Sequence, residues 1–229
     1  MNKKFELIKN DYISLDDCTL YRIRALIDFY DVSAGDLGGY IEKEANLSQE
    51  GTAWVYDNAR VFGDAKICRD AKVRDNAWVY DDAYISDNAR VYGNAKVYED
   101  ALVCDNAHVS DNVIICGKTI VRSCVYDNAK VYGNARVFGK AEICGDAVIA
   151  EKDDYIVFKN TWSSGRYFTY TKSNKMWKVG CFYGTGEELV KKAYDDSEKS
   201  GKHYELYVNL VREMELMENE TDWRAWKVI

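Results

Sequence analysis

The chain has 229 residues, 47% hydrophobic and 30% charged, which is enough for a sizeable core and excludes wholesale disorder. A net charge of −7 with no basic patch in any region argues against a protein that lives on nucleic acid phosphates. Seven cysteines, an odd number with no CxxC pair and no opening secretory signal, read as reduced thiols in a cytoplasm, and no apolar run could cross a bilayer.

Residues 1–38 form the first segment. Runs at Lys4–Ile8 and Leu20–Phe29 are strand-like. They predict a strand-rich cap over the open edge of whatever follows, since an exposed parallel edge recruits other chains.

Residues 39–152 are a repeat. From Ala53 the chain reads AWVYDN, ARVFGD, AKICRD, AKVRDN and onward through seventeen units, interrupted once by the four-residue unit Thr119-Ile-Val-Arg122. The third position is Val or Ile in every unit, and the first is Ala except at Val113, Thr119 and Ser123. Gly39-Tyr-Ile41 and Ala45-Asn-Leu47 read as earlier, imperfect turns of the same coil. An inward aliphatic flanked by outward residues is a strand of period two. The Asp/Gly–Asn/Asp pair that follows tolerates positive φ, and only a small residue fits inward after the bend. Three hexads give a coil of about 18 residues, stacked in parallel at ~4.8 Å. The absence of proline suits such ladders.

This pattern resembles the left-handed β-helix of the hexapeptide-repeat transferase family, with an aliphatic residue four positions before a small one, as in Val55…Ala59 and Val61…Ala65. The phrase AGDLGGYIEKEANLSQEG, residues 34–51, is also similar to hexapeptide proteins common in phages and prophages. The expected fold is therefore mainly β, a left-handed parallel β-helix followed by a small α+β domain.

Stacking places equivalent residues in columns. Asn58, Asn76, Asn94, Asn112 and Asn128 form one, read as an amide ladder or, with Asp57, Asp75 and Asp111, as a cation site. Phe62, Tyr80, Tyr98, Cys116 and Tyr132 form an outward column, and Tyr56, Arg74, Tyr92, Ser110, Tyr126 and Cys144 another. Such aromatics either stack across strands or offer an association face for a partner or a second copy.

The family resemblance implies acyl transfer with a histidine as general base. Two histidines are present, His108 in an outward slot and His203 near the C-terminus, too few for the three-histidine zinc site of the carbonic anhydrase branch. No long loop interrupts the units, so His108 is expected to lack walls that would exclude water. Cys68 and Cys104 lie two coils apart, and Cys116 and Cys124 flank the short unit, all read as small hydrophobes. No cofactor and no metal are expected. Residues 53–152 carry 13 basic and 15 acidic groups, too balanced for a DNA mimic.

Residues 153–229 change character. DYIVFKN, RYFTYTK and MWKVGCFY predict three strands. A capping box at Thr185-Gly-Glu-Glu188 opens one helix, and a second starts near Ser200, giving a βββαα domain. Trp177 is expected in its core, while Trp223 and Trp226 are candidate contact anchors. Together these features predict a non-catalytic interaction scaffold of phage or prophage origin, self-associating through the solenoid or the C-terminal domain. Its expected partner is a host bacterial protein such as a defence component, with acyl transfer through His108 as the alternative.

Overall fold

The computed structural model describes residues 3–224, and the side chains of residues 3–218. The chain divides into two compact units, Met1–Ile156 with Thr171–Asn174, and Val157–Tyr170 with Lys175–Ile229.

Each of the seventeen repeat units forms one two-residue strand, from β4 (Trp54–Val55) to β20 (Val148–Ile149). Every third-position aliphatic is at most 1% exposed, and the first-position alanines are equally buried. Each strand pairs in parallel with the strand three units on, as Arg60–Val61 does with Trp78–Val79. Taken three to a turn, the strands make a β-solenoid of about six turns with three faces. Burying each inward Val or Ile contributes ~1.5–3 kcal/mol, so the core is built by repetition of one modest term.

The bends are sharper in their demands than the sequence suggested. Within the units only the fifth position takes positive φ, in every six-residue unit but the last, from 53° at Asp57 to 62° at Asp127 among the non-glycine residues, with glycine at Gly63, Gly93, Gly117 and others. Aspartate tolerates this conformation better than most residues, and here it gains a second benefit. Its carboxylate reaches along the axis to the equivalent N–H of the next coil. Gly93 N–H donates to Asp75 Oδ2 at 2.8 Å, and Gly145 N–H to Asp127 Oδ2 at 2.9 Å.

The asparagine column is an amide ladder. Asn94 Nδ2 donates to Asn112 Oδ1 at 3.2 Å, and Asn112 to Asn128 at 3.1 Å. These groups are exposed, so Asn94→Ala should lower stability by only about 1 kcal/mol, read from the urea midpoint at unchanged slope.

Charge enters the turns through Asp87. Burial pushes its carboxyl up, but the Asp105 N–H, the Arg69 guanidinium and the Ser86 hydroxyl outweigh that and leave it below its ordinary value. A depressed carboxyl stabilises the fold above its unfolded pKa, near 3.9, and that contribution is lost as pH falls through the folded value. Asp87→Asn should therefore cost under about 1 kcal/mol at neutral pH. Urea midpoints of variant and wild type should converge in acid, whereas a gap independent of pH would contradict this assignment.

A parallel solenoid leaves backbone carbonyls and N–H groups unpaired at both ends. β1 (Phe5–Ser14) and β2 (Thr19–Ala25) pair antiparallel, and β2 pairs antiparallel with β3 (Leu37–Ile41). β3 then joins the solenoid in parallel, Tyr40 opposite Arg60, so the cap extends the first face into a nine-stranded sheet. Leu47 likewise bridges Ile67, which makes both imperfect turns part of the coil. The predicted strand Leu20–Phe29 stops at Ala25, because residues 26–33 reverse the chain around a Phe29–Val32 bridge. Remaining carbonyls are met by side chains. Lys4 Nζ donates to Ala53 O at 3.0 Å, and Asn46 Nδ2 to Ala65 O at 2.9 Å. At the far end, the Tyr155 hydroxyl accepts from Phe138 N–H at 3.1 Å and donates to Arg136 O at 3.0 Å. The Asp154 carboxylate accepts from Ala150 N–H at 2.7 Å.

The C-terminal segment has four strands, not three: β21 (Tyr155–Lys159), β22 (Tyr167–Thr171), β23 (Met176–Val179) and β24 (Phe182–Gly184). Gly180, at φ 56°, turns MWKVGCFY back on itself as a hairpin, so the order is ββββαα. Thr185 and Glu188 form the capping box of α1 (Gly186–Asp196), and α2 spans Glu198–Arg224. Trp177 is 2% exposed among Phe158, Phe168 and Tyr170. The Trp223 side chain and Trp226 lie outside the described residues.

Candidate functional site

The second face of the solenoid carries the groups with the most chemistry. Alternate residues of a strand point to one side, so the second and fourth positions of each unit both face outward. Register brings Trp54, Lys72, Arg90, His108, Cys124 and Glu142 into one column. Tyr56, Arg74, Tyr92, Ser110 and Tyr126 occupy the parallel one. The four-residue unit shortens the step from 18 to 16 residues and sets Cys124 directly opposite His108.

A wall stands over this face, contrary to the expectation that His108 would have none. It comes from the cap rather than from a loop within the repeat. Tyr30, left-handed at φ 50° and 73% exposed, stands over Lys72 with its ring 4.6 Å from the ammonium. Bulky residues rarely hold that conformation, so the loop must be pinned elsewhere. Asp31 pins it, accepting from the Tyr56 hydroxyl at 2.6 Å and from Arg74 at 3.2 Å. The resulting cavity, about 840 Å³, is lined by Tyr30, Lys72, Arg90, Tyr92 and His108 among others. A second cavity of about 490 Å³ shares Tyr92 and His108 and adds Ser110, Cys124 and Tyr126. His108 stands where the two meet.

Electrostatics follow from this packing. Burial, with Arg90 beside it, lowers the His108 pKa and favours the neutral ring. Burial raises the Cys124 thiol, and Glu142 adds to the effect, so this cysteine is not an activated nucleophile. Lys72 is pulled down by burial, partly offset by Asp31 and Asp70, and donates to the Thr52 carbonyl. Burial raises the Tyr56 hydroxyl, and its bond to Asp31 raises it further.

The remaining predicted residues separate onto two faces. Phe62, Tyr80 and Tyr98 stack on the first face with centroids 5.0 and 4.9 Å apart and planes within 5° of parallel. Cys116 interrupts that ladder before Tyr132, which is 43% exposed. Tyr56 and Tyr92 belong to the second face and line or support the groove. Asp87, Cys104 and Asp105 bring possible ligand atoms within 4.8 Å of one another, but Arg69 and Arg122 already pair with the two carboxylates. Among the described residues no helix is long and apolar enough to cross a membrane.

Comparison with known proteins agrees with the repeat. A model of the YdcK beta solenoid repeat matches residues 83–99. Over 38 residues the chain is 53% identical to a protein of Escherichia coli (strain K12) named "Uncharacterized acetyltransferase YdcK". That match covers 17% of this chain and 12% of the relative, so the chain spans a small part of that protein's length. The shared element is a β-solenoid repeat, and the span matched to the repeat model stops before His108.

Proposed function

We propose that the chain is a rigid, non-catalytic binding scaffold whose working surface is the grooved second face. One observation carries this reading: the principal polar groups of the groove are committed to structural bonds. Asp31 ties down Tyr56 and Arg74, Lys72 is committed to Thr52, and among the described residues no hydrogen bond orients the His108 ring. A general base is ordinarily set by a second group that fixes its tautomer. The similarity of residues 34–51 to phage and prophage proteins extends the proposal to a bacterial host partner, a defence component being the first class to test. Self-association along an aromatic face belongs to the same proposal and is read from solution mass.

The experiment is affinity capture from bacterial lysate with the wild-type chain and with Tyr92→Asp, which places a charge in the groove without touching the core. A partner retained by the first and lost by the second supports the reading. A chain that retains no protein, or retains the same ones after Tyr92→Asp, contradicts it.

Acyl transfer is the second reading, favoured by the cavity around a neutral His108 and by the printed name of the relative. Saturable binding of acetyl-coenzyme A with turnover lost in His108→Ala would establish it in place of the first.

A further inference from the structure

The four-residue unit leaves a gap in the solenoid wall. At the corner between the third and second faces, each coil contributes two turn residues: Arg69-Asp70, Asp87-Asn88, Asp105-Asn106, then Gly139-Lys140. The coil between the last two pairs has none, because Arg122 runs directly into Ser123. One missing rung separates its neighbours by two coil spacings, ~9.6 Å. A notch of about 450 Å³ lies there, lined by Asn106, Arg122, Phe138 and Lys140, with Asp105 and Glu142 at its margins.

The missing turn also removes hydrogen-bond partners. Along this corner, each sixth-position N–H donates to a fifth-position carbonyl of the next coil: Asp70 to Asp87 at 3.0 Å and Asn88 to Asp105 at 2.8 Å. Asn106 is next, and the residue that would accept from it does not exist. Among the described residues its N–H has no acceptor. The same short unit buries the Thr119 hydroxyl without a partner. The buried Thr119 hydroxyl costs ~1–3 kcal/mol if left unmet, whereas Asn106 is exposed and its N–H is open to solvent or to a ligand.

Donors converge on the gap. Arg122 reaches this side of the gap while paired with Asp105, its Nε 3.6 Å from Asp105 Oδ2; it also acts on the Cys104 thiol, and its guanidinium lies 5.5 Å from the Phe138 ring. Lys140 makes no ion pair among the described residues. The backbone N–H of Asn106 completes a set of three. Arg122 and Lys140 supply positive charge to the notch while Asp105 and Glu142 oppose it, so a monoanion is resisted less than a dianion such as phosphate.

We propose that this notch is a binding site for a carboxylate, received by Arg122, the Asn106 N–H and Lys140, with its carbon chain against Phe138. The carboxylate is carried by a small acid or by an acidic side chain of a protein. The site is separate from the role proposed for the second face and stands or falls independently of it.

The test uses the full chain, labelled with ¹⁵N and titrated with acetate, with a blocked Ala-Asp-Ala peptide and with inorganic phosphate. The Asn106 amide and Arg122 Nε–H resonances should move saturably with both carboxylates. Tighter binding of the peptide assigns the source to protein, and equal or tighter binding of acetate assigns it to a small acid. Inserting Asp-Asn between Arg122 and Ser123 restores the hexad, fills the notch and gives Asn106 its acceptor. That variant should keep the fold and lose the titration at least tenfold. Arg122→Gln serves the same purpose by a milder change, should the insertion fail to fold. Absence of a saturable shift, tighter binding of phosphate than of either carboxylate, or titrations unaltered in the folded variants would overturn the proposal.

Discussion

Gly39→Ala should lower the unfolding free energy by about 3 kcal/mol, the upper part of the range for overpacking a site that cannot relax. A Cβ at this position would lie 2.6 Å from the Ala59 carbonyl oxygen, 2.8 Å from Val55 Cγ1 and 2.9 Å from the Tyr56 carbonyl oxygen. Two of those neighbours are solenoid backbone and the third is a fully buried core side chain, so nothing can swing away. Gly38 is equally confined, its added Cβ meeting the Val55 carbonyl oxygen and Ile23 Cγ1 at 2.5 Å. Both glycines sit in β3, where the cap turns into the first coil, so the cap must separate from the solenoid to admit a methyl group. Gly139→Ala is the control. Its Cβ would meet nothing within 4 Å, and only the positive φ of 69° is penalised, at roughly 1–2 kcal/mol. Urea unfolding of both variants separates the two causes. Gly39 does not hold a positive φ, so a loss no larger than that of the control would mean that β3 relaxes around the methyl group and that the close approach is not what requires glycine there. Since Tyr30 hangs from the same cap, partial undocking in Gly39→Ala should also open the groove over Lys72.

That pair of glycines shows what the sequence makes visible. Residues 34–51 stood out as a phrase, but the phrase alone does not say why two adjacent glycines belong there. The reason is a contact between segments some twenty residues apart, and no local pattern encodes it. The solenoid is different because each of its constraints repeats. An inward Val or Ile, a small residue after the bend and a turn residue tolerant of positive φ recur in register, so one unit predicts its neighbours. The C-terminal strands are legible as apolar runs, yet a single glycine can be tolerated inside a strand, so the spacing of MWKVGCFY does not separate one strand from the hairpin that Gly180 makes. For the groove, the outward columns could be written down directly from the spacing. Its wall could not. Tyr30 precedes the repeat, adopts a backbone conformation that its residue type disfavours, and is held there by Asp31 across more than twenty residues of sequence. The pairing of His108 with Cys124 follows from the same step that sets Tyr126 after Ser110.

Lys4→Met should cost about 2 kcal/mol at neutral pH and change how stability depends on pH. The Lys4 side chain is almost fully buried at the open end of the second face, 1% exposed. Its ammonium donates to Ala53 O at 3.0 Å and lies 3.5 Å from both Glu50 O and Gly51 O, 5.2 Å from the centre of the Phe29 ring. Beneath it Trp54 packs edge-on against Phe5 and Phe29. Methionine keeps the volume of the stem, so the change isolates the donor and leaves carbonyls of the first coil unmet. Burial lowers the Lys4 pKa to about 8, with the positive charge of Lys72 contributing and Asp70 opposing. The ammonium thus remains the main form at pH 7, which is why its loss is destabilising there. Above about pH 8 the folded state releases this proton while the unfolded chain holds it to about pH 10.4, so the folded state binds fewer protons across that window. Stability of the wild type should therefore gain a rising contribution between those values that Lys4→Met lacks. Urea midpoints of the two proteins, followed from pH 7 to pH 10 or so, should diverge as pH increases. Parallel curves would mean that the Lys4 ammonium is solvated in the folded chain, and that another group closes the open end of the second face.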